Sequence, residues 1–311
     1  GLSLQVLDRY SYDQDRFEIN TMARQKELEF AEDRFEEETG IAVDTDENVR
    51  RFESNLFMAT ADYTITEKFR LKGDFSNFFV DYESAINDFL DRTDNSAELY
   101  GYYNYSPKTA FFLEYRFIDV GYDNEPDDGR PSRDNEQQFW YGGINWASTE
   151  KLAFGFKAGQ QFRKYNDDEL AEDNDQDGLA LDFQSVYRWT EKTQFSLDLY
   201  RLSEESESAV ALDKVTLGLV FGYRQNFTDR LQGVLEFRYE DSDYNQLLEE
   251  IVSAEELDRE DSRVYVRPAL KYYFREWMMG ELAYTYDKRD STDDLFDYTT
   301  NTILFGLNLS M

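Results

Sequence analysis

Neither cysteine nor histidine occurs in the 311 residues. That excludes disulfides, thiolate and imidazole metal sites, and every catalytic scheme that turns on a Cys or a His. Proline is scarce, at 4 residues, which suits long uninterrupted strands. Long apolar runs are missing too: nothing reaches about 18 consecutive apolar residues, so no transmembrane helix is expected. A basic-then-apolar leader is absent, and the start at Gly1 rather than Met points to a mature, processed chain. Positive charge is in deficit, with 33 Lys and Arg against 66 Asp and Glu, a net charge of −33. Nucleic-acid binding needs a basic face and is excluded on that ground. Aromatic residues, by contrast, are abundant: 25 Phe and 23 Tyr bring the aromatic share to 17%. Disordered chains are charged but poor in aromatics, so the chain is expected to fold.

From Arg51 onward the sequence repeats a grammar. ATADYTITEKFRLKGD at 59–74 is an alternating run, a short polar turn, and another alternating run. The same order recurs in YYNYSPKTAFFLEYRF, GINWASTEKLAFGFKAG, SVYRWTEKTQFSLDLY, VFGYRQNFTDRLQGVLEF and LKYYFREWMMGELAY. Thr-Glu-Lys itself stands at 66–68, 149–151 and 190–192. Period-2 alternation punctuated by turns roughly every 35–45 residues predicts an all-β array.

Splitting the runs by parity separates two faces. In 215–223 one face is Val215, Leu217, Leu219, Phe221 and Tyr223, opposed by Thr216, Gly218, Val220 and Gly222. In 302–311 Ile303, Phe305, Leu307, Leu309 and Met311 oppose Thr302, Gly306, Asn308 and Ser310. The apolar face carries aromatics beside the short turns: Tyr63, Phe69, Tyr105, Phe111, Trp146, Phe154, Trp189, Phe195 and Tyr223.

Longer acidic connections alternate with the short turns, at 20–49, 84–96, 123–136, 166–178, 204–213, 243–260 and 288–297. Short turns on one rim and long loops on the other predict an all-β, transmembrane, antiparallel up-and-down β-barrel of about 14 strands. The expected strands are 2–13, 50–65, 68–83, 97–105, 109–122, 137–147, 151–165, 179–189, 193–203, 212–225, 230–244, 261–274, 277–288 and 298–311. Residues 1–311 then form a single barrel domain, with 20–49 as a long acidic first extracellular loop. A soluble sandwich or propeller also alternates, but its strands are usually about five or six residues long. These runs are longer, and their polar face is too charged for a packed core.

Taken as lumen, that polar face holds Arg70, Lys72, Asp74, Glu114, Arg116, Lys157, Arg163, Arg188, Arg224, Glu236, Arg238, Arg263, Arg267, Lys271 and Glu281. With the acidic Glu98, Asp182, Asp198, Glu240 and Asp287 also on that face its signs nearly cancel, so the net negative charge belongs mostly to the long loops. The charges either pair across strands and keep the wall in register, or form a selectivity surface. Barrels of about eight strands are filled by side chains and those of about 16–18 leave an aqueous channel, so 14 falls between.

Catalysis has little footing here, and the expectation is that the protein is not an enzyme. Carboxylates are too plentiful for any pair to be diagnostic, and a Ser–His arrangement is impossible. One motif stands apart. Asp173, Asp175, Asp177 and Gly178 spell D-x-D-x-D-G, the opening of a calcium loop. The twelfth position is Gln184 rather than a bidentate carboxylate. A low-affinity extracellular Ca2+ site on Asp173, Asp175 and Asp177 is the metal reading, an acidic loop tip the alternative. No other cofactor is expected.

The aromatic-rich strands, the T-E-K turns and the terminal TNTILFGLNLSM resemble bacterial outer-membrane β-barrels. More narrowly, they resemble the β-barrel porin family associated with exopolysaccharide loci. The resemblance implies the outer membrane of a Gram-negative bacterium and a channel for polar solutes or a secreted exopolysaccharide. The alternative is a non-conducting structural barrel whose acidic loops hold a partner, matrix polymer or divalent cations. Implied partners are outer-membrane lipid and lipopolysaccharide, the barrel-assembly machinery and polysaccharide-export components. The last strand resembles the signal that machinery reads, although it ends in Met311 where many such strands end in an aromatic.

Overall fold

The computed structural model describes residues 1–14, 51–83, 90–123, 132–166, 176–206, 211–246, 259–275, 277–292 and 296–309. Within them run β1 (Leu2–Gln14), β2 (Arg51–Thr64), β3 (Phe69–Tyr82), β4 (Arg92–Ser106), β5 (Thr109–Tyr122), β6 (Asn135–Trp146) and β7 (Leu152–Tyr165). They are followed by β8 (Gln176–Thr190), β9 (Thr193–Glu205), β10 (Ala211–Asn226), β11 (Leu231–Gln246), β12 (Glu260–Arg275), β13 (Met278–Ser291) and β14 (Tyr298–Leu309). All belong to one sheet in sequence order, each strand antiparallel to the next. This is an up-and-down β-barrel wall of 14 strands. β1 and β14 are its two edges; no ladder between them is present among the described residues.

The T-E-K repeat has a physical cause. Thr66 Oγ1 accepts the backbone N–H groups of Lys68 (3.2 Å) and Phe69 (3.1 Å). Thr149 does the same for Lys151 and Leu152, and Thr228 for Arg230 and Leu231. Thr190 takes Lys192, and Ser106 takes Lys108. A hydroxyl at the turn's start thus satisfies donors that the ladder cannot reach. The basic residue that closes each turn then offers its carbonyl to the next hairpin: Lys68 to Asn104, Lys108 to Ala147, Lys151 to Arg188, Lys192 to Asn226, Arg230 to Tyr273.

Register fixes the two faces. One row of directly opposed residues runs Asp62, Lys72, Tyr100, Glu114, Tyr141, Gly159, Ala180 across β2 to β8. A second runs Lys157, Asp182, Tyr200, Gly218, Glu240, Arg263, Arg289, Tyr298 across β7 to β14. Opposed residues point the same way, so these rows form one polar inner face. On the other face Leu113 is 72% exposed and Phe305 79%, exposure that only a lipid environment makes favourable. The aromatics expected beside the short turns all lie on this outer face, and most touch another aromatic ring. Trp146 meets Phe154 at 5.2 Å, Phe195 meets Tyr223 at 5.3 Å and Tyr105 meets Phe111 at 6.4 Å.

Three strands start two or more residues earlier than their alternation predicts: β4 at Arg92 rather than 97, β8 at Gln176 rather than 179, and β6 at Asn135 rather than 137. RTDNS at 92–96 is polar at both parities, so periodicity misses it. Its pairing is held instead by the backbone ladder and by polar rungs such as Asn77 Nδ2 to Asn95 Oδ1 at 2.8 Å. The first loop at 20–49 lies outside the described residues, as do Asp173 and Asp175. Asp177 and Gly178 stand within β8, opposite Phe162 and Gln161 of β7.

Gly159 marks the tightest point of the wall. A Cβ there would sit 1.9 Å from the Trp140 carbonyl oxygen on β6, whereas one at Gly101 would meet nothing nearer than a Leu71 methyl at 3.9 Å. Backbone cannot yield as a side chain can, so Gly159→Ala should cost about 1–3 kcal/mol. Gly101→Ala should cost less. Denaturant unfolding of the two variants in the same detergent checks the difference.

Candidate lumen and its ionic wall

The inner face is built from pairs two residues apart on one strand, opposite or diagonal on the next, or reaching across an intervening strand. On β3, Lys72 Nζ lies 2.6 Å from Asp74, which also accepts Thr60 Oγ1 at 2.6 Å. Arg70 reaches Asp62 at 3.5 Å and lies over the Tyr102 ring, 4.1 Å from its centroid.

The densest belt crosses β4 to β7. Arg116 bridges Glu98 at 2.9 Å and Glu114 at 3.0 Å, and Lys157 lies 3.0 Å from Glu114. Tyr100 donates its hydroxyl to Glu98. The Glu114 side chain is 1% exposed, with cations on both sides.

A second belt crosses β9 to β13. Tyr200 lies over Gly218, where a Cβ would sit 2.1 Å from its ring, and donates to Glu240 on the far side at 2.6 Å. The glycine is what lets the phenol cross a strand. Arg238 pairs with Glu236 at 3.3 Å and Glu240 at 3.8 Å. Arg263 makes a two-pronged contact with Asp287 (3.0 and 2.7 Å), and Arg267 and Lys271 share Glu281. At the long-loop rim Arg259 pairs with Asp261 at 2.7 Å, beneath Phe296, whose ring centroid is 3.5 Å away.

Register thus brings all fifteen charged residues expected on the polar face to one side of the sheet. Two differ from the rest: Arg188 and Arg224 are exposed and make no ion pair among the described residues. Both stand opposite Gln194 of β9, at one level near the short turns. Arg163 faces inward but is 1% exposed, held 2.7 Å from Asp213 rather than by water.

Arg163 leads to a group that sequence parity does not reveal: Arg133, Gln161, Ser203, Glu205 and Asp213. Glu205 accepts from Tyr122 (3.1 Å) on β5 and from Asn135 (3.1 Å) and Gln137 (3.0 Å) on β6, two strands that are not its neighbours. The described ends of the β9–β10 connection, 203–206 and 211–213 (its tip, below), therefore lie against the inner faces of β5 to β7. Polar residues at the parity that faces lipid lower in β9 are the only sequence trace of this overlap. At the opposite, short-turn end the wall opens into a cavity of about 870 Å3. Asn104, Asn145, Gly155 and Gln184 line it together with Tyr105, Trp146 and Phe154.

Residues 40–311 match the family model described as Putative beta-barrel porin 2. The chain belongs to this porin family. Among solved structures, the copper transporter OprC is 9% identical over 84% of this chain and 50% of its own, with a TM-score of 0.52. The FrpB iron transporter from Neisseria meningitidis (F3-3 variant) is 8% identical over 94% and 50%, with a TM-score of 0.51. OmpT, an outer membrane protein of Vibrio cholerae, is 11% identical over 98% and 95%, with a TM-score of 0.39. The porin chain spans about half the length of the two transporters, and likeness at such identity speaks for the fold alone. No curated protein matches the sequence. Family and fold together make the porin an outer-membrane β-barrel.

The belts differ in burial, and that sets their worth. Glu114→Gln leaves Lys157 and Arg116 facing a neutral group inside the wall and should destabilise the barrel by about 3–5 kcal/mol. Glu236→Gln breaks a pair whose side chains are 40% and 36% exposed, and should cost less than about 1 kcal/mol. Equilibrium unfolding of both variants tests the contrast.

Proposed function

We propose that the protein is an outer-membrane channel that passes polar solutes through its mixed-charge inner face. The observation that carries this reading is the inner face itself. It is lined with ion pairs of both signs that remain part-exposed, as at Arg116, Lys157, Arg263 and Arg267. Charge that stays part-exposed on an inner wall is charge that water reaches. The open cavity at the short-turn end supports the same reading. Family resemblance extends it to a secreted exopolysaccharide as cargo, a flexible polar polymer for which alternating charges and hydroxyl-bearing tyrosines are suitable partners. Transport, not catalysis, is the activity proposed.

A non-conducting binding barrel is the second reading, favoured by one observation: the β9–β10 tip occupies part of the inner space. Planar-bilayer recording separates the two, since a folded barrel without ion current sinks the channel.

If the channel conducts, its selectivity should follow the unpaired cations rather than the paired ones. A unit charge acts on a passing ion at 4 Å with about 1 kcal/mol in water, about fivefold, less in salt. Changing Arg188 and Arg224 to Gln should therefore lower the anion-to-cation permeability ratio by up to about fivefold. Arg267→Gln, whose charge is balanced by Glu281, should shift it less. Reversal potentials in a salt gradient measure both.

A further inference from the structure

Above the rung that pairs Leu181 with Arg201, strands β8 and β9 part company. β8 continues to Gln176 along β7, and β9 continues to Glu205 along β10, but neither continues along the other. A separated strand edge leaves orphan backbone groups, each of which must find a partner or carry a cost. Here side chains take the place of the missing rungs. The Gln161 carboxamide accepts the N–H of Ser203 at 3.0 Å and donates to its carbonyl at 2.9 Å, copying both bonds of a ladder pair. Arg133 Nη2 donates to the carbonyls of Ser206, Ala211 and Leu212 at 2.9, 3.2 and 2.9 Å. On the other edge, Arg201 caps the Leu179 carbonyl of β8.

The docked tip also carries an ionic core. Arg163 lies 2.7 Å from Asp213, both side chains 1% exposed, and 3.4 Å from Glu205. Tyr165 and Asn245 donate to the two Asp213 oxygens at 2.9 and 2.8 Å. Ala211 and Leu212 are 3% and 0% exposed. The surface that receives the tip consists of Tyr122, Asn135, Gln137, Gln161, Arg163 and Tyr165, all at inner-face positions of β5 to β7. The tip is therefore inside the barrel, against the wall, near the long-loop rim.

Resting on the channel reading, we propose that the β9–β10 tip is a hinged constriction. Docked, it narrows the outer half of the lumen; released, it zips onto the free edge of β8 and widens it. The existing register dictates the released pairing: 180 with 202, 179 with 203, 178 with 204, 177 with 205. Arg163 is the positioning residue, because it holds the tip through Asp213 and Glu205 together.

The chain has no cysteine, so introduced thiols are unique. Directly opposite residues of an antiparallel pair have Cα atoms about 4.5–5.5 Å apart, within disulfide reach. Leu179→Cys with Ser203→Cys should therefore oxidise only when the tip zips onto β8. Bond formation, read as reductant-sensitive peptide linkage in mass spectra, is expected to be slow in this background and at least about tenfold faster when Arg163→Gln is added. In bilayers the oxidised double mutant should show at least twofold higher single-channel conductance than its reduced form, reversed by reductant. Since the double mutant keeps Arg163, the proposal stands testable even where Arg163→Gln fails to fold. A conducting barrel that never forms the bond overturns the hinge, and a bond that leaves conductance unchanged overturns the constriction. A barrel that forms the bond yet passes no current in any state overturns the channel reading and retains the hinge.

Discussion

Backbone hydrogen bonding in a medium without water is the constraint on which every other feature depends. Inside a bilayer an unpaired N–H or carbonyl has nowhere to turn, so a strand must be paired on both sides across the hydrocarbon. The unbroken ladders from β1 to β14 are one answer, and the chain's low proline content is its counterpart in composition. The short turns answer the same demand where the ladder ends. A threonine or serine hydroxyl takes the turn's N–H groups, and the following basic residue passes its carbonyl to the next hairpin. What reads in the sequence as a repeated tripeptide is thus a repeated solution to one accounting problem.

The ionic wall follows from the same geometry. With the lipid face committed to apolar and aromatic residues, the inner parity is free to be polar, and a strand sheet offers two neighbour distances for pairing. Charges of both signs at those distances need no long-range organisation; each is neutralised locally. Hence the belts around Glu114 and Asp287 coexist with a chain of net charge −33, whose excess lies in the long connections rather than on the wall. Where local pairing is absent, at Arg188 and Arg224, the field reaches the solvent. Those two residues matter more to a passing ion than their better-connected neighbours.

Most of the wall was legible because strand period and burial period coincide. Phe305 and Leu307 face out for the same reason that Gly306 and Asn308 face in, and no tertiary information is needed to tell them apart. The extracellular ends were less legible. At 92–96 both parities are polar, so alternation stops while the ladder goes on. Pairing within the wall was open for a different reason: parity shows that Arg263 and Asp287 share a face, but only register brings them to 2.7 Å. The overlap at β9 left only a faint trace. Ser203 and Glu205 carry the polarity of a solvent-exposed rim, and nothing local distinguishes a rim that faces water from one that faces the opposite side of its own wall.

That overlap is the place where the constraint is met by the less usual route. Between β8 and β9 the ladder stops several rungs short, yet the orphaned groups of Ser203 and the tip carbonyls remain bonded through Gln161 and Arg133. Because this happens near the rim, where water begins, the cost of exchanging one set of bonds for another is small compared with the same exchange at mid-membrane. A barrel can only afford two alternative pairings where its backbone has two possible sets of partners. In this chain the described residues offer such a choice at the β8–β9 seam, with inner-wall side chains competing against an adjacent strand edge for the same backbone. The position of the seam, near the long-loop rim and facing the lumen, is where a change of partner alters the pore.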